Sequence, residues 1–268
     1  LRPARITAYV TSLLLALGLA LTGAGSAAGA QAAAENYVAL GDSYSSGVGA
    51  GSYDSSSGNC KRSTRAYPRL WANANAPASF HFDACSGATT ANVVSSQLGH
   101  LSSATTLVSI SIGGNDAGFA DVMTTCVLQS ESSCVNRVNQ AKSYVDTTLP
   151  GRLDNAYGAI ESRASAAHVV VLGYPRFYKL NGSCLAGLTE RERSAINGAS
   201  DHLNAAIAKR AADHGFTFAS VVPRFTGHEI CSDSSWLHSV KWTNIGESYH
   251  PTAAGQSGGY YPTFSAAA

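Results

Sequence analysis

Five short, nearly continuous apolar runs recur along the chain, each closing at a glycine or another turn-forming residue: 36–41 (N-Y-V-A-L-G), 78–83, 106–112, 168–172 and 216–222. Short apolar runs that end in such turns read as buried strands. Between them lie segments with helical spacing, at 67–75, 91–98, 135–162, 190–214 and 252–260. Strands that alternate with helices predict an α/β fold built on a parallel sheet, with helices on both faces. In such sheets chemistry gathers at the carboxyl ends of the strands. The loops to search are therefore 41–51, 84–89, 113–119, 173–178 and the segment from Pro223 onward.

The first residues follow another pattern. Arg2 and Arg5 precede an apolar run at 13–21, and Ala-x-Ala steps follow at 28–30 and 30–32. This is the layout of a secretory leader, predicted over 1–32 with cleavage after Ala32, which leaves a single domain over 33–268. The run is shorter than the roughly 18 to 20 residues a bilayer span requires, and no later stretch is longer, so stable membrane insertion is not expected. A secreted, extracellular protein is.

Export changes the meaning of the cysteines. Cys60, Cys85, Cys126, Cys134, Cys184 and Cys231 all follow the leader, and an even count outside the cell favours disulfides over free thiols. Pairing sequence neighbours closes the smallest loops. No C-x-x-C spacing marks a zinc site. The 268 residues are 45% hydrophobic and only 13% charged, the profile of a globular chain. With 18 Lys and Arg against 17 Asp and Glu, the electrostatic footprint of a nucleic-acid binder is missing.

The loop after the first run reads Gly41-Asp42-Ser43-Tyr44-Ser45-Ser46-Gly47. A serine there meets free backbone N–H groups at the start of the next segment, which can hold a developing oxyanion. The same heptapeptide also suits an ordinary turn with Asp42 or Ser43 as a helix cap. Glycines 47, 49 and 51 do not match G-x-G-x-x-G, and G-x-S-x-G is broken by Ser45. Gly113-Gly114-Asn115-Asp116 closes the third run, and the Asn115 amide offers two donors. Cys85-Ser86-Gly87-Ala88-Thr89 follows the second run and offers the Gly87 N–H. Among eight histidines, His250 stands apart, because Gly246-Glu247-Ser248-Tyr249-His250-Pro251 sets it in a loop before a Pro-initiated segment.

These blocks, G-D-S-Y-S-S-G, S-G-A-T-T, G-G-N-D and H-P-T-A-A-G-Q in that order, resemble the SGNH or GDSL serine ester hydrolases, above all secreted actinomycete lipases and phospholipases A1. The resemblance spans Gly41 to Gln256. It implies a three-layer α/β/α sandwich on a five-stranded parallel sheet, of the flavodoxin-like kind. It also implies Ser43 as nucleophile, His250 as base, and the Ser43 N–H, Gly87 and Asn115 as oxyanion donors. The six cysteines are then expected to pair in sequence order.

One position departs from the family pattern, which places Asp three residues before the histidine; here the residue is Glu247. The group that orients His250 is then either the Glu247 carboxylate or a backbone carbonyl such as that of Ser248. The implied activity needs no metal and no cofactor. Its partner is a lipid or other ester substrate, met by a monomer. The rival activity is carbohydrate O-deacetylation on the same fold, and the rival outside catalysis is a secreted binding module.

Overall fold

The computed structural model describes residues 34–182, 184 and 187–268; the leader expected over 1–32 lies outside the described residues. All five apolar runs are strands: β1 (Asn36–Gly41), β2 (Ser79–Phe82), β3 (Leu107–Ser111), β4 (His168–Leu172) and β5 (Thr217–Ala219). They form one parallel sheet in the order β2-β1-β3-β4-β5. The helices, in chain order, are α1 (Ser43–Ser46), α2 (Tyr67–Asn75), α3 (Thr90–Asn92), α4 (Phe119–Leu128), α5 (Glu131–Thr147), α6 (Leu149–Arg163), α7 (Glu190–Asp213), α8 (Val222–Phe225) and α9 (Tyr261–Ser265). Helices α2 and α9 pack together on one side, and α5, α6 and α7 on the other, which gives the expected three layers.

Strand alternation assigns the core residues to these layers. Tyr37 turns to the α2 and α9 side, where its ring meets Trp71 and Phe264 at 5.1 and 5.4 Å between centroids. The sheet interior is otherwise supplied by Val38, Leu40, Val108, Ile110 and Val169 to Leu172, all buried. Residues Ala34–Ala268 cluster as one compact unit. Three disulfides, Cys60–Cys85, Cys126–Cys134 and Cys184–Cys231, tie its loops. The 25-residue separation of the first corresponds to about 3 kcal/mol in a chain-entropy account.

The helical reading is refined at four segments. The segment 135–162 is two helices, because Pro150 has no N–H to continue the ladder of α5 and instead sits in the first turn of α6. Phe119–Leu128, not predicted as an element, is helix α4. The 91–98 and 252–260 segments are helical but wound wide, as π turns over Val93–Gln97 and Gly255–Tyr260, and the second runs on into α9. These wide turns matter to the site.

Candidate active site

The sheet order reverses direction between β1 and β3, and the crevice at such a switch point is where open α/β sheets bind ligands. The loops that end there are those singled out by sequence. Ser43 follows β1, Asn115 follows β3, and Gly87 follows β2 on the far side of β1. His250 comes from beyond β5. It is brought across by an antiparallel bridge of Leu237 with Pro251 and by the hydrogen bonds His238 N–H to His250 O and Tyr249 N–H to His238 O, each 3.0 Å.

Local chemistry holds Ser43 in place. Gly41 has φ +122°, and a Cβ there would stand 2.5 Å from the Ser111 carbonyl oxygen, so only glycine lets β1 turn this close to β3. Asp42 caps α1 by accepting the Tyr44 N–H at 3.0 Å. Its buried carboxylate also accepts the Ser111 hydroxyl at 2.8 Å and the Tyr174 hydroxyl at 2.5 Å, and Tyr174 in turn accepts the Gly114 N–H at 3.2 Å. Burial pushes the Asp42 carboxyl up to about 6, while the hydrogen bonds from Tyr174, Ser111 and the Tyr44 backbone pull it down. Asp42 and Tyr174 thus join the Ser43 loop to the loop that carries Asn115.

The Ser43 Oγ lies 2.7 Å from His250 Nε2, and His250 Nδ1 lies 2.9 Å from the Ser248 carbonyl oxygen. A carbonyl only accepts, so Nδ1 carries the proton and the Nε2 lone pair faces the serine hydroxyl. Tyr249 makes this possible. Its φ of +67° is left-handed, and the turn folds the Ser248 carbonyl back onto the ring two residues later. The Tyr44 hydroxyl fixes that turn by donating to the Tyr249 carbonyl at 2.8 Å.

Glu247 faces elsewhere. Its carboxylate accepts the Tyr53 hydroxyl at 2.7 Å and the Lys241 ammonium at 2.5 Å. Burial opposes the charge, but Lys241 and Tyr53 together hold the carboxyl below its ordinary value. Of the two acceptors left open by the sequence, only the Ser248 carbonyl is in contact with the imidazole.

The oxyanion candidates face the same cavity as Ser43 and His250. The Ser43 and Gly87 N–H groups have no hydrogen-bond partner among the described residues. Gly87 has φ +79°, which a side chain would strain. Asn115 Nδ2 donates to the Ala88 carbonyl at 2.9 Å, which orients the amide and leaves its second N–H free. Asp116 then locks the Asn115 loop to the Gly87 loop through the Thr90 N–H and hydroxyl, at 3.0 and 2.6 Å. The Cys60–Cys85 disulfide anchors the Gly87 loop from its other side.

Two supporting residues have roles that the motifs do not state, Gln97 outside every block and Gln256 at the end of the histidine block. Gln97 and Gln256 are buried, and each sits on one of the π turns. The Gln97 amide pairs with both backbone groups of Gly41, accepting its N–H and donating to its carbonyl at 2.8 Å each. The Gln256 amide donates to the Tyr44 carbonyl at 3.0 Å and accepts the Tyr67 N–H at 2.9 Å. The serine loop is therefore gripped on both sides of Ser43, and π turns often serve such functional placements.

From the serine, a cavity of about 510 Å³ extends between α4, α5 and α7. Phe119, Val122, Met123, Val145, Ile196 and Leu203 line it, and the charged residues on its wall are Asp42 and Lys142. Burial in this wall lowers the His250 imidazole to about 4, helped by the nearby His238 and Lys61 charges and opposed by the Ser248 carbonyl and Glu247.

A family model described as GDSL-like Lipase/Acylhydrolase matches residues 39–257. Over 269 aligned residues, covering all of both chains, the sequence is 67% identical to Lipase 1 of Streptomyces coelicolor. The crystal structure of phospholipase A1 from Streptomyces albidoflavus superposes with a TM-score of 0.87 at 68% identity, covering 88% of this chain and all of that one. An extracellular lipase from Streptomyces rimosus superposes with a TM-score of 0.86 at 62% identity, with the same coverage.

Proposed function

Because the chain belongs to the GDSL-like lipase/acylhydrolase family and is a carboxylic ester hydrolase, we propose that it is an exported monomer that cleaves fatty-acyl esters of glycerolipids through an acyl-enzyme on Ser43. The observation that carries this reading is the hydrogen bond from the Ser43 hydroxyl to His250 at the inner end of an apolar cavity. Its volume lies within the range of small-molecule sites, and its wall suits an alkyl chain better than a sugar. The names of the Streptomyces relatives agree with it.

In the first step the Ser43 oxygen attacks the ester carbonyl carbon while its proton passes to His250 Nε2. The resulting oxyanion takes hydrogen bonds from the Ser43 and Gly87 N–H groups and from Asn115. His250, now protonated on both nitrogens and steadied by the Ser248 carbonyl, gives its new proton to the leaving glycerol oxygen as the ester bond breaks. Water then attacks the acyl-enzyme, again losing its proton to Nε2, and the proton returns to Ser43 as the fatty acid departs. Asp42, Tyr174, Gln97 and Gln256 position the serine loop. Glu247 anchors the histidine loop through Lys241 and Tyr53.

Export is supported by the three disulfides, which suit an oxidising compartment. No helix among the described residues is long and apolar enough to cross a membrane. A panel of triacylglycerol, phosphatidylcholine and acetylated xylan, offered to native and Ser43→Ala protein, tests the substrate class. Fatty acid should be released from one or both lipids by the native protein alone. Acetate released from xylan with no fatty acid from either lipid would replace this reading with carbohydrate deacetylation.

The His250 value sets the acid limb of activity. The base must be neutral to take a proton, and the free imidazole stays neutral down to about pH 4 instead of the usual 6.5. For His250 alone kcat/KM is therefore flat from neutrality to near pH 5 and falls tenfold per unit below pH 4, while Asp42, pushed up to about 6, takes up its proton inside that range and accounts for a shallow step near pH 6. A full tenfold-per-unit fall that begins at 6.5 would show that the ring is not held out of water as described.

A further inference from the structure

Three large apolar side chains stand exposed among the described residues: Leu128 (67%), Trp242 (73%) and Ile245 (63%). All three border the same cavity that ends at Ser43. Isolated exposed apolar residues are ordinary, but their gathering around one opening is not. Leu128 is the last residue of α4. Trp242 and Ile245 lie on Trp242-Thr243-Asn244-Ile245-Gly246, a loop exposed at every position and free of charge.

That loop is braced. Asn244 N–H donates to the Lys241 carbonyl and Glu247 N–H to the Asn244 carbonyl, each at 2.9 Å, while the Lys241–Glu247 ion pair closes its base at 2.5 Å. The Lys241 N–H donates to the Ser248 hydroxyl at 2.8 Å, so the brace continues into the turn that carries His250. Trp242 and Ile245 are thus held outward by a fixed frame.

We propose that Leu128, Trp242 and Ile245 form a docking rim that inserts into a neutral lipid–water interface and sets the cavity mouth against it. The rim is continuous with the apolar cavity, so an acyl chain leaving the lipid phase passes onto protein surface without crossing water. Charge favours a zwitterionic surface over an anionic one, because the cations near the mouth are few and scattered, Lys142 on the cavity wall and Lys61 beside Gly246, while Lys241 is already paired with Glu247. The proposal deepens the fatty-acyl reading above and rests on it for the purpose of docking, but binding can be measured without turnover.

The test uses Ser43→Ala protein, which leaves lipid intact, with vesicles of phosphatidylcholine. Trp71 is buried and Trp236 is stacked on His228 at 3.6 Å, so a blue shift of tryptophan emission on vesicle addition reports Trp242. The expected results are a blue shift, co-sedimentation that persists at high salt, and loss of the shift in Ser43→Ala/Trp242→Ser. Adding Leu128→Ser and Ile245→Ser should lower partitioning by about two orders of magnitude, with each side chain accounting for about a factor of ten when half inserted. The unchanged melting temperature of these surface variants would exclude misfolding as the cause.

Absence of vesicle binding, binding abolished by salt or confined to anionic vesicles, or equal binding by the triple serine variant overturns the docking rim. If the Ser43→Ala protein binds as expected but native protein releases no fatty acid from any lipid, the substrate reading falls and the docking surface stands.

Discussion

Ser43→Ala and His250→Ala should each lower kcat on a long-chain ester by about 10⁵ to 10⁶, and the double variant should fall no lower than either alone. The reason is that each member works only through the other. An alcohol of ordinary acidity is a weak nucleophile until a base takes its proton in the transition state, and a base 2.7 Å from an absent hydroxyl has nothing to activate. The remaining acceleration would come from the oxyanion donors and from binding. Initial rates on purified single and double variants check this, and a fluorophosphonate probe should label native protein at Ser43 and leave Ser43→Ala unlabelled. Single losses near tenfold that multiply in the double variant would mean that the pair does not act as one unit.

The same geometry separates Glu247 from the dyad. Loss of a residue that orients a catalytic imidazole costs about 10⁴ in kcat, whereas Glu247→Ala should cost less than about tenfold, because Ser248 supplies the acceptor at Nδ1. What Glu247→Ala removes is the clasp among Lys241, Tyr53 and the histidine loop. Lys241 is 40% exposed, so that clasp is worth about 1 kcal/mol of stability.

The strands and the reacting groups were legible in the sequence because each is announced locally. An apolar run that stops at a turn-forming residue is both a buried strand and the start of a loop at the sheet's carboxyl edge, and Ser43, Gly87 and Asn115 all stand within a few residues of such stops, at Gly41, Asp83 and Gly113. Helix α4 did carry a signal, because Phe119, Val122, Met123, Cys126 and Val127 stand at i, i+3, i+4, i+7 and i+8, the spacing of one apolar helix face; the glycine-rich loop at 113–118 drew the reading to the turn before it. The break at Thr148 had its signal in Pro150. Gln97 had none, and Gln256 was marked only as the end of the histidine block, with no hint of its role, since both act through a π winding that no residue period encodes and through partners 56 and 212 positions away. The left-handed turn at Tyr249 is likewise invisible in a residue type that seldom adopts it. That turn decides whether a carboxylate or a carbonyl faces the imidazole, so the Glu247 question could be posed from sequence and answered only by geometry.

Asn115→Ala should lower kcat by about 10² to 10³ with a much smaller change in KM, the scale of one lost oxyanion donor. The ground-state ester carbonyl carries little charge, so a donor aimed at the oxyanion strengthens chiefly in the transition state, and its loss appears in kcat. Asn115 is suited to this because its orientation is fixed without using up the amide: one N–H is spent on the Ala88 carbonyl, and Asp116 next to it pins the loop to Thr90. Asn115→Asp is the sharper variant. It keeps the shape but replaces the donor with a carboxylate beside a developing negative charge, so its kcat should fall below that of Asn115→Ala. Gly87→Ala, which keeps its N–H but strains a φ of +79°, should lose less than either. Steady-state kinetics on a soluble ester rank the three variants. A change of less than threefold for Asn115→Ala would remove the residue from the oxyanion site and leave the Ser43 and Gly87 N–H groups as the donors.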